Sequence, residues 1–263
     1  MSNQVQWSVL LNEAVTKPGV ISSAYSRFYN FSIGNQLLAF TQCAARKIDV
    51  GPIATLKAWN KLGRRVQKNQ KGISLYIPSQ FKVKEKDPSG NEVEKVIKYF
   101  ALKPNWFALS QTEGDDFVQE PKSPEWNAEL ALQNLGISVE KFKLVDGNCQ
   151  GYARPRDKVI ALNPVAEYPH KTRFHEIAHV LLHGKDDNLV FADEDTLPVD
   201  VKEVEAESVA YILVSLLGLP GQEESRGYIQ HWLSNGQVSE KQSQRIFGAV
   251  EKIFKAGQKE EQK

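Results

Sequence analysis

Cysteine is nearly absent from this chain. Cys43 and Cys149 are its only two in 263 residues, too few and too far apart for a disulfide framework or a thiolate metal site. That fits a reducing, cytoplasmic setting, with both thiols as small buried hydrophobes. Long hydrophobic runs are also missing. The longest candidate, Ala210 to Leu219, falls short of the roughly 20 residues of a membrane span, so no membrane partner is expected. Met1 to Trp7 has neither the basic nor the apolar region of a signal peptide. Acidic residues are scarce at the start: Met1 to Lys84 holds only Glu13 and Asp49 against 12 Lys and Arg. Up to Asp116 there are 16 basic and 9 acidic residues, a balance of +7; the remainder has 17 and 23, a balance of −6. The net charge of +1 therefore hides a basic half and an acidic half. That contrast predicts two domains, the first facing a polyanion.

The rest of the composition, 41% hydrophobic and 25% charged, is that of a globular chain long enough for one large or two modest domains. Periodicity predicts helices over 4–16, Ser32–Ala45, Ile53–Leu62 with Trp59, and Glu125–Leu135. Further helices are expected over Tyr168–His183, Val199–Leu217 and Ser239–Phe254. Strands are expected at Ile73–Pro78, Trp106–Ser110, Phe142–Val145 and Lys158–Leu162. A β-hairpin is expected around Asp87–Asn91. Polarity rises and periodicity lapses between Gln111 and Pro124. The fold class read from this is α+β. Its domains are 1–116 and 125–263, joined by a linker over 117–124.

One stretch carries chemistry. Arg173-Phe-His-Glu-Ile-Ala-His-Val-Leu-Leu-His-Gly184 contains His175-Glu176-x-x-His179 in a helical context. Positions i and i+4 project from one helix face, so His175 and His179 can share a metal ion. Glu176 sits beside the open coordination position as a general base. A site with two histidines needs a third protein ligand, and the helix from Val199 offers Glu203, Glu205 and Glu207. Glu203, Ala206, Glu207 and Ala210 share a face, which favours Glu203 as ligand and leaves Glu207 to orient a ligating histidine. Zn2+ is the expected ion. Lys185 stands where a third histidine ligand of the HExxHxxGxxH type would be. His183 reads as closing its helix, and His170 and His231 as structural or surface residues. Lys158–Leu162 could be an edge strand for a peptide, and Tyr152 or Tyr168 an oxyanion donor.

The basic half interleaves cations with aromatics, as single-stranded nucleic acid binders do. Its candidates are Tyr25, Arg27, Phe28, Tyr29, Arg46, Lys47, Trp59, Lys61, Arg64, Arg65, Lys68 and Lys71. None supplies a base-specific code.

Several separated blocks then carry a family likeness. Trp7 with Leu10-Leu11, Phe31-Ser-Ile-Gly-Asn-Gln-Leu-Leu38 (whose Asn35 is a further DNA-binding candidate), Trp59-Asn-Lys-Leu-Gly-Arg-Arg-Val66, Lys68-Asn-Gln-Lys-Gly72 and Trp106-Phe-Ala-Leu-Ser-Gln-Thr-Glu-Gly114 resemble a known domain. It is the N-terminal single-stranded DNA-binding domain of ArdC-type antirestriction proteins. Phe174 to His183 and Glu203-Val-Glu-Ala-Glu-Ser-Val-Ala210 resemble a zincin-like metallopeptidase domain similar to the ImmA/IrrE peptidases. The resemblance implies a DNA-binding protein of plasmids and mobile elements that protects incoming DNA. Its implied partners are single-stranded DNA, with double-stranded DNA a further form, and a protein substrate or the restriction machinery. It implies His175, His179 and Glu203 as ligands and Glu176 as base, with Glu205 open as the alternative third ligand.

Overall fold

The computed structural model describes residues 6–86, 92–119, 124–143, 149–184, 199–234 and 238–259. The hairpin tip Asp87–Asn91, Lys185 and the end of the expected strand Phe142–Val145 lie outside them, as does the side chain of His231. The fold is α+β, in two compact units: Arg27–Pro121, and Met1–Ser26 together with Lys122–Lys263.

This division differs from the expected 1–116 and 125–263. The first helix, α1 (Trp7–Thr16), has an apolar face of Leu10, Leu11, Ala14 and Val15, all 5% exposed or less. An amphipathic helix must bury that stripe, and here it does so against elements from the far end of the chain. The Glu240 carboxylate accepts from the Trp7 and Ser8 backbone N–H groups at 2.6 and 3.1 Å. Trp7 packs on Phe247 with ring centroids 5.7 Å apart, and Tyr211 donates to the Val15 carbonyl at 3.3 Å. The helix α2 (Val20–Phe28) spans the boundary and brings Tyr25 onto Phe254.

The Arg27–Pro121 unit is built on a long hairpin of β3 (Ile73–Lys86) and β4 (Glu92–Ala108), with β1 (Ile53–Thr55) on the other edge of β4. Of the strand expected at Trp106–Ser110, Trp106–Ala108 are the end of β4, and Leu109 and Ser110 lie in a 3-10 turn. The helix expected over Ile53–Leu62 splits into β1 and α4 (Leu56–Lys61), because the Thr55 side chain caps Ala58 N–H at 3.3 Å and starts the helix there. Two turns of α3 (Ile33–Ala45) cover the edge of β3. Asn35 exchanges two hydrogen bonds with the Tyr76 backbone, both 2.9 Å. Gln42 does the same with Ser74 at 2.8 and 2.9 Å. A primary amide has the donor and acceptor of a peptide group, so positions i and i+7 on the helix stand in for a neighbouring strand. Between Gln111 and Pro124, where periodicity lapses in the sequence, β5 (Thr112–Gly114) pairs with β2 (Arg64–Val66).

In the other unit, a small sheet has β6 (Ser138–Val139) and β7 (Gly151–Arg154) on either side of β8 (Val159–Leu162). The expected edge strand at Lys158–Leu162 is therefore the middle one, hydrogen-bonded on both sides. Beside the sheet run α5 (Ala128–Leu135), α6 (Pro169–His183) and α7 (Val199–Leu217), then α8 (Gln222–Ser234) and α9 (Glu240–Ala256). Residues from Val204 to Leu216 of α7 are apolar almost all round and nearly all buried, the signature of a core helix. No helix of the described residues is long and apolar enough to cross a membrane.

Candidate functional site

Pro169 opens α6, where its missing N–H costs nothing, and Gly184 follows its last residue. Phe174, Ile177 and Ala178 are wholly buried and fix the helix rotation, which turns His175 and His179 together toward α7. Their Nε2 atoms are 3.0 Å apart. Glu203 on α7 places one carboxylate oxygen 3.3 Å from His175 Nε2 and the other 3.3 Å from His179 Nε2. Ligand atoms of these three residues all lie within 4.8 Å of one another, forming a group that could hold a metal ion. Ala206 and Ala210, both wholly buried, allow the close approach of α7.

The surroundings fit a cation. Glu207 accepts from His175 Nδ1 at 3.0 Å, and its other oxygen pairs with Lys171 at 2.9 Å. A carboxylate can only accept, so His175 holds a proton on Nδ1, and Nε2 is the nitrogen that an ion would bind once it displaces the proton there. With no ion between the rings, burial would lower the His175 pKa, but Glu203 and Glu207 outweigh it and raise it to about 9. Hydrogen bonds from the two histidines hold Glu203 well below the usual carboxylate range. Burial would raise Glu207, yet its bond from His175 and the Lys171 ammonium bring it down to about 2.

Glu176 is 6% exposed. Burial raises its pKa, opposed by the charges of His175 and His179, which suits a group that must both take and return a proton. The strand β7 closes over it: a Cβ at Gly151 would stand 3.0 Å from the Glu176 carboxylate and 2.7 Å from Thr172 Cγ2. The sequence offered no sign of this glycine's place.

Glu205 does not join the triad. It is wholly buried, 3.1 Å from His183 and 3.3 Å from Arg245. His183 is the last residue of α6, as expected, but its side chain is only 3% exposed and lies 2.9 Å from His179 Nδ1. Burial lowers its pKa. The Tyr152 hydroxyl is engaged with Glu140 at 3.0 Å. Tyr168 precedes the first residue of α6. Cys43 is wholly buried and its thiol pushed up to about 11 by burial, whereas Cys149 is partly exposed.

The expected DNA-binding set separates into two groups. Trp59 is 1% exposed, donates to the Phe107 carbonyl at 2.8 Å and meets Phe117 edge-on. Tyr25 and Phe28 are 4% and 1% exposed. None of the three can stack on a base without unfolding its surroundings. Asn35 is consumed by Tyr76, Arg46 by the Lys71 and Gly72 carbonyls, and Arg64 by Thr112, Gly114 and Asp115. Arg27, Lys47, Lys61, Lys68 and Lys71 are exposed, Tyr29 is half-buried, and Arg65 is exposed beside Glu113. The structure adds a surface absent from that set. Phe81 and Tyr99 pair edge-on on one face of the β3–β4 hairpin, 48% and 45% exposed, and Phe100 on the other face is 71% exposed. Alternation around the hairpin was the available signal.

Comparison with known proteins follows the same outline. Residues 6–104 match the family model of the N-terminal domain of the anti-restriction factor ArdC. The metal-free crystal structure of the antirestriction protein ArdC from plasmid R388 is similar in fold at 19% identity. Its TM-score is 0.55, with 95% of this chain and 94% of that chain covered. The Mn(II)-bound structure of that protein matches at 17% identity with a TM-score of 0.52, covering 96% of each chain. No curated protein matches the chain.

Proposed function

We propose that this chain, whose residues 6–104 match the ArdC N-terminal domain model and whose fold is that of ArdC along nearly its whole length, belongs to the ArdC anti-restriction family. On that footing we propose that it is an antirestriction protein that binds single-stranded DNA and cleaves protein with a zinc-dependent peptidase centre. His175, His179 and Glu203 would hold the ion, and two imidazoles with one carboxylate are a set used by zinc hydrolases. When bound, the metal supplies a Lewis acid that eases removal of a proton from water and polarises a carbonyl. Glu176 takes the proton and returns it to the leaving amine. Among the described residues β7 pairs only with β8, so its other edge can receive an extended peptide backbone beside Glu176. The observation that carries the reading is the convergence of three ligand atoms next to a buried carboxyl.

The DNA reading rests on charge and exposure. Arg27–Pro121 holds 15 Lys and Arg against 9 Asp and Glu. Lys47, Lys68 and Lys71 would meet phosphates, and Phe81, Tyr99 and Phe100 would stack on bases.

The test is Glu176→Gln in the full chain, incubated with DNA-bound proteins in the presence of single-stranded DNA. Cleavage is expected to fall by about 10²–10⁴, with zinc content and DNA affinity unchanged. Undiminished cleavage sinks the peptidase. A second reading has its own support: the triad joins α6 to α7, so an ion there would cross-link two core helices without chemistry, leaving DNA shielding as the activity. Full antirestriction by Glu176→Ala would favour it.

A further inference from the structure

The buried charges outside the triad determine which nitrogen of His179 faces it. Glu205 is wholly buried, with Oε1 3.3 Å from Arg245 Nη1 and Oε2 3.1 Å from His183 Nε2. A carboxylate has no proton to give, so His183 donates from Nε2. Arg245 already balances Glu205, and a second buried cation there would have no partner, so the His183 ring is neutral. A neutral imidazole with its proton on Nε2 has a lone pair on Nδ1. That Nδ1 lies 2.9 Å from His179 Nδ1, which must then be the donor. That leaves His179 Nε2, 3.0 and 3.3 Å from His175 Nε2 and Glu203, as the nitrogen that an ion would take in place of a proton. Arg245 is itself anchored, donating from Nη2 to the Leu182 carbonyl at 2.7 Å. The chain Arg245–Glu205–His183–His179 thus does for one histidine what Glu207 does for the other.

We infer that His183 is a positioning residue of the metal centre: held by Glu205 and Arg245, it fixes His179 in the tautomer whose Nε2 can bind a divalent cation. This rests on the metal reading proposed above. A ring free to carry its proton on Nε2 would point an N–H at the ion in part of the population, and affinity falls accordingly. Loss of such an orienting partner typically weakens metal binding about 10–100-fold.

The experiment compares full-length wild type with His183→Leu and His183→Gln. A glutamine can offer its carbonyl oxygen to His179 and its amide N–H to Glu205; a leucine can do neither. Cobalt(II) titration, followed by its visible absorption and by zinc(II) competition, gives the affinities. His183→Leu should bind about 10–100-fold more weakly than wild type, and His183→Gln within a few-fold of it. A wild type that binds neither ion overturns the metal centre and this inference with it. Binding by the wild type with equal affinity for His183→Leu overturns the positioning role alone, as does an equal loss in both variants, which would point to packing. Should His183→Leu fail to fold, nitrogen-15 NMR of the zinc-loaded wild type decides: His179 with its proton on Nδ1 is expected, and metal on Nδ1 overturns the inference.

Discussion

The two units treat charge in opposite ways. Among the described residues, every buried charged side chain belongs to the unit that carries the histidines: Glu176, Glu205 and Arg245. In the Arg27–Pro121 unit the buried polar groups are Gln36, Gln111 and Thr112, all neutral, and the cations lie outside. Gln111 is typical, accepting from Ala108 N–H at 3.0 Å and donating to the Lys71 carbonyl at 3.0 Å. Burying a charge costs several kcal/mol unless it is paired and hydrogen-bonded, so a fold keeps one only where a defined geometry depends on it. A field for a polyanion needs no such geometry; it needs many solvated cations and a tolerant surface. One unit is organised around a point, the other around a potential.

The sharpest way to break that contrast is through the aromatic residues of the basic unit. Trp59→Ala should destabilise the protein by about 3–5 kcal/mol through the cavity it leaves, while the folded fraction binds single-stranded DNA as before. Urea unfolding and fluorescence anisotropy read the two effects, and a DNA defect without destabilisation would return Trp59 to the binding surface. Next come Phe81→Ala and Tyr99→Ala on the hairpin, expected to weaken single-stranded DNA binding by about 1–3 kcal/mol each at unchanged stability. An unchanged Kd removes the hairpin from the interface.

On the histidine side, pH separates proton from metal. In the metal-free protein the His175 pKa is raised from 6.5 to about 9, so its contribution to stability is full below 6.5 and is lost as pH rises through about 9. An ion must displace that proton. Zinc affinity should therefore rise about tenfold per pH unit up to roughly 9 and then level off. A flat profile from 6.5 to 9 would mean that His175 is not a ligand. The smallest effect belongs to the lysines. Lys68→Ala and Lys71→Ala should weaken DNA binding for all sequences alike, each lowering the slope of log K against log salt by about 0.7.

The same contrast governs what could be read from residue order alone. His175, Glu176 and His179 lie within five positions on one helix, and a 3.6-residue period fixes their common face. Glu203 needed one more step, the small residues Ala206 and Ala210 on its own face. Glu205 was not legible, because its partner Arg245 lies 40 residues away and a glutamate between two others looks solvated until the helix is seen to be buried. Tyr25 and Trp59 failed for a related reason. A dense aromatic stretch serves a core as well as a base, and only packing partners such as Phe254 and Phe117 distinguish them. The domain boundary was missed because α1 has an apolar face whose partners come at the end of the chain.

That placement of α1 has a consequence for how the protein is made. The Trp7 N–H and the Glu240 carboxylate that accepts from it are 233 positions apart. At a synthesis rate of about 5–20 residues per second, α1 waits roughly 10–50 s after leaving the ribosome before its docking site exists. Residues 27–121, a compact unit of their own, have all been synthesised well before then. During that interval Leu10, Leu11, Ala14 and Val15 have no native surface to cover them, so the first helix of the nascent chain is a natural site for chaperone capture. The helices α6 and α7, which carry His175, His179 and Glu203, pass through the exit tunnel before the last element that completes their unit, which makes α9 the piece whose arrival ends the wait.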